Sequence, residues 1–154
     1  MAIRTAGTAL FFIDPYDNSV NKVGCPTSLT GFSSPREQID VSCLEDQEGK
    51  FEGGRKTPGQ ASIGLNLDPS DPTHLRLYEL DKSGETVKWA IGWADGTADA
   101  EADSTGNWDN PDTRTWLEFD AYVVDFPFDF SMNAVVTGTL PLQVTGEKVW
   151  IPKV

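Results

Sequence analysis

Gln60-Ala61-Ser62-Ile63-Gly64-Leu65-Asn66-Leu67 alternates polar and apolar residues, and Gln38-Ile39-Asp40-Val41-Ser42-Cys43-Leu44 does the same. Successive side chains of a strand point to opposite faces, so both segments read as half-buried strands. Ile39, Val41 and Cys43 make the apolar face of one segment, and Ala61, Ile63, Leu65 and Leu67 that of the other. The opposite faces, carrying Gln38, Asp40, Ser42, Gln60, Ser62 and Asn66, are small, polar and, apart from Asp40, uncharged. Two such strands predict a hairpin with one side on a core and the other on water. Residues 45–59 form its tip, with Gly49, Gly53, Gly54, Pro58 and Gly59 among many charges. Hairpin connections usually take about 2–5 residues, and longer ones are functional or disordered. The expectation is a tip that is flexible in the monomer and orders against a neighbour, meeting its entropy cost at assembly.

The remaining chain reads mostly as further strands. Residues 8–13 form an apolar strand ending in the turn cluster Asp14-Pro15-Tyr16-Asp17-Asn18. Residues 24–35 read as a connecting loop with one short extended piece. Asp68-Pro69-Ser70-Asp71-Pro72 supplies an N-cap, Ser70 or Asp71, and a proline suited to a first helical turn. The helix that follows carries Leu75, Tyr78, Leu77 and Leu80 as its apolar stripe and stops at Gly84. Strands are predicted over residues 86–94 and 113–125, with the alternation continued through Asp125-Phe126-Pro127-Phe128-Asp129-Phe130. Two last strands, 133–145 and 148–151, are joined by a turn at Thr145-Gly146-Glu147. The fold class is mainly β: an antiparallel sandwich or small barrel of seven or eight strands, flanked by one short helix, with a long hairpin loop. Residues 1–154 make one domain, as the length of 154 residues suggests.

Composition narrows the function. Twelve Lys and Arg stand against 24 Asp and Glu, a formal net charge of −12. Binding to a phosphate backbone or to anionic lipid needs basic clusters, so neither partner is expected. No apolar run approaches the roughly 20 residues that span a bilayer, and the start of the chain has no signal-peptide segment, so synthesis and retention in a cytoplasm are expected. Cys25 and Cys43 are too few for a disulfide framework or zinc site and are expected to be reduced and structural.

Candidate chemistry is sparse. The loop 95–112 carries Asp95, Asp99, Glu101, Asp103, Asp109 and Asp112 with no base. A calcium loop starting at Asp99 would need Gly and Glu where Ser104 and Asn110 stand, so a solvated loop is the expectation. His74, the single histidine, lies near the helix start, a place for capping or solvent. Gly53-Gly54-Arg55-Lys56 lacks the spacing of a phosphate loop. No catalytic residue, metal or cofactor is assigned. Trp89, Trp93, Trp108, Trp116 and Trp150 raise the alternative of a carbohydrate-binding or baseplate module, although only Trp108 falls outside a predicted strand.

Several stretches resemble the major tail tube protein of long, non-contractile-tailed, lambda-like bacteriophages. They are Ala6-Gly7-Thr8-Ala9-Leu10-Phe11, the segment from Gln38 to Asp46 with its glycine-rich tip, Ser62-Ile63-Gly64-Leu65-Asn66-Leu67-Asp68-Pro69, and Leu77-Tyr78-Glu79-Leu80-Asp81-Lys82-Ser83-Gly84. The order of these elements carries the resemblance, which extends over nearly the full length.

The resemblance implies a structural virion protein, not an enzyme, that self-assembles into stacked hexameric rings. The rings form the tail tube through which the genome is delivered. It implies that Gln38, Asp40, Ser42, Gln60, Ser62 and Asn66 face the lumen, and that Glu45, Asp46, Glu48, Lys50, Arg55 and Lys56 reach an adjacent ring. The implied partners are further copies of the chain, a tape measure protein, and tail terminator and tail tip proteins, with DNA passing unbound and no membrane contact. Assembly is expected in the bacterial host cytoplasm, with the product in the virion tail. Some members carry an extra immunoglobulin-like domain, which is not expected here. A ring-forming tube protein of a contractile tail or secretion system stays open as an alternative.

Overall fold

A computed structural model describes residues 2–24 and 26–154. Among these residues there are nine strands and one helix. In chain order they are β1 (Ala9–Ile13), β2 (Val20–Lys22), β3 (Pro26–Thr30), β4 (Arg36–Asp40), β5 (Phe51–Lys56), β6 (Gln60–Asn66), α1 (Pro72–Ser83), β7 (Val87–Gly92), β8 (Trp116–Val123) and β9 (Thr137–Ile151). Seven strands form one sheet in the order β2-β1-β7-β8-β9-β6-β3, and β4 pairs with β5 in a sheet of two. Every pairing is antiparallel.

The sheet must curl. Its edge strands β2 and β3 are consecutive, with only three residues between Lys22 and Pro26. Four extended steps reach at most about 14 Å, whereas six flat strand spacings would hold the edges about 29 Å apart. The concave side holds the main core, built from Leu10, Phe12, Ile63, Leu65, Trp89, Phe119, Leu140 and Leu142 and closed by Leu77 and Leu80 of α1. Trp89 lies 5.4 Å from Phe12 and 6.4 Å from Phe119 between ring centroids. Its Nε1 donates to the Ala121 carbonyl at 3.1 Å, so its polar atom is satisfied inside the core.

A smaller cluster lies on the other side of the sheet, where Ala9, Phe11, Ala90 and Trp116 are covered by Ala100 and Trp108. The acidic loop is therefore seated on the sheet by its apolar residues, with Asp95 bound to Thr115 and Asp99, Glu101, Asp103, Asp109 and Asp112 exposed. Arg114, beside this cluster, is 3% exposed and donates to the carbonyls of Gly7, Gly92, Trp93 and Ala98 at 2.6–2.9 Å. A Cβ on Gly92 would lie 2.7 Å from the Arg114 guanidinium carbon, so glycine is needed there. Burial pushes the Arg114 pKa down, opposed by the negative charges of Asp95 and Asp99.

The helix begins as its residues dictate. Asp71 is the N-cap, accepting from Thr73 N at 2.9 Å, Pro72 opens the first turn, and Gly84 closes the helix at φ 69°. The buried stripe, however, is His74, Leu77 and Leu80, while Leu75 and Tyr78 are exposed. His74 joins the stripe because its ring is satisfied there: Nδ1 accepts from Asp68 N at 3.1 Å and Nε2 lies 2.6 Å from the Gly24 carbonyl. The network fixes the tautomer with hydrogen on Nε2.

Other expectations are corrected. Strands 38–44 and 60–67 are not partners, because β4 pairs with β5 and β6 lies between β3 and β9. Ile39 and Val41 are exposed, whereas Ile63 and Leu65 are buried as expected. Gly146 makes no turn: at φ 77° it stands within β9, whose register against β8 shifts between Glu118 and Asp120. A bulge keeps one strand continuous where a hairpin turn was expected. Asp125–Phe130 is not a strand and joins the fold through the isolated Asp129–Thr137 bridge. Cys43 is free and exposed rather than structural, and Cys25 lies outside the described residues.

Candidate assembly surface

Residues paired across an antiparallel ladder point to the same side of the sheet. Gln60, Ser62, Gly64 and Asn66 of β6 are opposite Gln143, Pro141, Thr139 and Thr137 of β9. On the other flank Ser62 and Gly64 are opposite Thr30 and Ser28 of β3. This outward face, three strands wide, contains amides, hydroxyls, a glycine and a proline and no charged group, in a chain of net charge −12. Its reverse side is Ala61, Ile63, Leu65, Leu140 and Leu142, all at or below 1% exposure. A neutral wall is thus backed by buried core. Gly64 keeps it shallow, since a Cβ there would lie 2.5 Å from Ser28 Oγ.

The second element is an arm formed by β4, β5 and their connection. Cross-strand pairs are Gln38 with Gly53, Ile39 with Glu52, and Asp40 with Phe51. The ladder runs on through Val41 N donating to the Lys50 carbonyl at 3.0 Å and Lys50 N donating to Ser42 Oγ at 2.6 Å. Asp46 turns the tip by accepting from Cys43 N at 2.7 Å and pairing with Lys50 Nζ at 3.2 Å. The reversal is therefore made around residues 43–49, and much of the stretch 45–59 is strand β5. At the root Arg36 Nη1 donates to the Gly54 carbonyl at 2.9 Å.

The arm has no core of its own. Ile39 is 52%, Leu44 107% and Phe51 59% exposed. A lone two-stranded hairpin is at best marginally stable in water, and grouped exposed apolar residues mark a contact surface.

The lumen candidates therefore divide. Gln60, Ser62 and Asn66 share one face of the main sheet, while Gln38, Asp40 and Ser42 belong to the arm. Glu45, Asp46, Glu48, Lys50, Arg55 and Lys56 all lie on the arm; Lys50 is paired internally with Asp46, and Arg55 and Lys56 form no ion pair among the described residues. Sequence reading missed Thr137, Thr139 and Gln143 as wall residues, although their alternation with Gly138, Leu140 and Leu142 was the available signal.

The acidic residues have structural work that explains part of the composition. Asp17, Asp40, Asp68, Asp71 and Asp103 each accept the backbone N–H two residues on, from Ser19, Ser42, Ser70, Thr73 and Thr105, at 2.9–3.0 Å. These donors hold each carboxyl below its ordinary range, the Ser or Thr side chain dominating except at Asp40, where the backbone N–H leads. Asp103, one of the acids weighed and set aside for a calcium loop, is exposed and accepts from Thr105 Oγ1 and Asn107 N. Among the described residues no group of three or more His, Cys, Asp or Glu could hold a metal, and no helix is long and apolar enough to cross a membrane.

A neutral wall and a protruding arm with exposed apolar residues define a self-assembling structural subunit. The whole chain, residues 1–154, matches the model of the lambda-like phage tail tube family, and the protein belongs to that family. It is a structural protein of the tail tube and so a virion component. It is 43% identical to "Structural protein 3" of Pseudomonas phage PAJU2, over 98% of this chain and 94% of that protein. The fold is similar to the tail of an empty GTA particle refined with C6 symmetry (TM-score 0.67, 15% identity, 97% of this chain and 98% of that one). It is also similar to the SPP1 tail tube (TM-score 0.69, 13% identity, 99% and 81%). A sheath–tube complex of an extracellular contractile injection system gives a TM-score of 0.68 at 10% identity, covering 97% and 90%.

Proposed function

We propose that this chain assembles into hexameric rings that stack into the conduit for genome delivery, with the wall of β3, β6 and β9 facing the lumen. The observation that carries this reading is the uncharged face of Gln60, Ser62, Asn66, Thr137, Thr139 and Gln143 on a strongly acidic subunit. A basic lumen would hold DNA through counterion release and stall its passage. Amides and hydroxyls bind a polyanion weakly and keep a layer of water. The C6 symmetry of the GTA tail supports six copies to a ring.

Gln38, Asp40 and Ser42 are assigned to the arm rather than to the wall. The arm, with Glu45, Asp46, Glu48, Lys50, Arg55 and Lys56, reaches an adjacent ring, where Ile39, Leu44 and Phe51 are buried. The lumen encloses the tape measure protein during assembly, and terminator and tip proteins close the two ends. Membership of the lambda-like family favours this setting over a contractile or secretion device.

Negative-stain microscopy of the concentrated protein tests the reading. Rings and tubes with a continuous channel are expected. Ser62→Lys with Thr139→Lys leaves tubes intact and makes them retain DNA in a filter-binding assay. Protein that stays monomeric at every concentration and ionic strength, and is absent from virions, overturns it.

A further inference from the structure

We propose that the pocket at the root of the arm is a basic socket that receives the acidic loop 95–112 of a second copy of this chain. The inference rests on the tube reading and names one of its subunit contacts.

The socket has a volume of about 490 Å³ and is lined by residues that include Ser34, Arg36, Lys56, Glu147 and Lys148. Three cations face a single carboxylate there, on a chain whose net charge is −12. None of the three is in a salt bridge among the described residues. Two are nevertheless held in place by neutral acceptors. Arg36 Nη1 donates to the Gly54 carbonyl at 2.9 Å. Lys148 Nζ donates to the Phe32 carbonyl at 3.2 Å and to Ser34 Oγ at 3.3 Å. Arg36 and Lys148 are fixed in position, and with Lys56 they outnumber Glu147, so the socket keeps a net positive charge.

The loop is equally built. Asp109 N donates to the Glu101 carbonyl at 2.8 Å, Glu101 N to Asn110 Oδ1 at 3.0 Å, and Ala102 is bridged to Trp108. Asp99, Glu101, Asp109 and Asp112 are exposed, without an ion pair among the described residues. Four carboxylates on a braced loop present a preformed counterpart to the three cations.

The two features lie on opposite sides of one stretch of sheet. Asn110 Nδ2 binds Glu118 Oε2 at 2.9 Å, and Glu118 is paired with Val149, so the loop occupies the outward side. Lys148, the next residue along β9, reaches Phe32, which packs on core residue Phe119 with ring centroids 5.0 Å apart. Loop and socket therefore face away from each other within one copy. Joining different patches of identical subunits is a head-to-tail contact, the kind that propagates into closed rings or filaments. Complementary charge fixes its register.

The test uses two reversed proteins, one carrying Lys56→Glu and Lys148→Glu, the other Glu101→Lys and Asp109→Lys. Each alone is expected to raise the threshold concentration for tubes roughly tenfold or more, read by light scattering and microscopy. An equimolar mixture restores assembly, because each reversed patch then meets a reversed partner and each native patch a native one. Circular dichroism monitors folding; if the socket pair unfolds, Lys56→Glu alone decides, since that side chain makes no hydrogen bond among the described residues. Wild-type tubes with both reversed proteins assembling as the wild type does, or with no rescue on mixing, overturn the socket and leave the tube reading standing. Failure of the wild type itself to form tubes overturns the reading beneath it.

Discussion

Arg76 on α1 grips Asp14 at the end of β1, sixty-two residues away, through two parallel hydrogen bonds: Nε to Oδ2 at 2.7 Å and Nη2 to Oδ1 at 2.8 Å. The fork matches the carboxylate and adds direction as well as charge. Arg76 also binds Glu79 at 2.8 Å, and its pKa is raised by its hydrogen bonds to Asp14 and then Glu79. Asp14 in turn accepts from Tyr16 N at 2.9 Å, so one carboxylate shapes the β1–β2 turn and docks the helix.

Arg76→Ala leaves Asp14, only 8% exposed, without its cation. The expected loss is about 2–3 kcal/mol, the range for hydrogen bonds to charged groups and below that of a fully buried pair. For a chain of this size that lowers Tm by roughly 4–12 °C. Arg76→Lys restores less than half, because an ammonium cannot supply the fork. Thermal melting of the two variants checks both statements.

Deleting residues 49–56 removes β5 and leaves the core untouched, because β4 and β5 contact chiefly each other. The shortened protein is expected to fold, with unchanged near-ultraviolet dichroism from Trp89 and Trp116, and to form no tubes. Loss of the tryptophan signal would show that the arm supports the fold instead of the assembly.

Ionic strength acts on the net charge of −12 before it acts on any contact. Between about 0.01 M and 0.15 M salt the screening length falls from about 30 Å to about 8 Å, which suppresses repulsion between whole subunits more than attraction between touching groups. The threshold concentration for tubes is therefore expected to fall across this range. A rise, followed by light scattering, would show that attraction between opposite charges dominates.

Acid weakens the fold through its aspartate turns. Asp17, Asp40, Asp68, Asp71, Asp95 and Asp103 all have carboxyls below the ordinary 3.8 when folded. At Asp95 the first cause is the Thr115 hydroxyl, 2.5 Å away. The folded state thus binds these protons more weakly than the unfolded one. Their stabilisation is complete above the unfolded pKa and is lost as pH falls through the folded values. These six make no contribution to a change in Tm between pH 7 and pH 5, and they produce a progressive fall below about pH 4. Replacing Asp68 and Asp103 by Asn flattens that fall while keeping the turns, which melting curves at pH 7, 4 and 2.5 resolve.

The sequence was most informative where one segment met one physical demand. The alternation of Ala61, Ile63 and Leu65, a cap at Ser70 or Asp71 and the stop at Gly84 each report a local requirement, and each is met, the cap by Asp71. Pairing partners were less legible. Ile39 and Val41 alternate as a core strand does, yet their apolar face is set aside from the core, a use that periodicity alone does not distinguish. Gly146 reads as a turn because bulge and turn both ask for a positive φ. The wall residues of β9 and the Asp-x-Ser/Thr turns were present as patterns, but their meaning depends on which strands become neighbours.

The short link between Lys22 and Pro26 has a consequence for the life of the unassembled subunit. By drawing the first and last strands of the sheet towards one another, it leaves as open margins only a strand of three residues and one of five that carries a bulge. Short, irregular margins are poor templates for a stray strand. The main sheet of the free subunit is thereby guarded against amyloid-like growth at its rims, and the strand edges left fully open are those of the two-stranded arm.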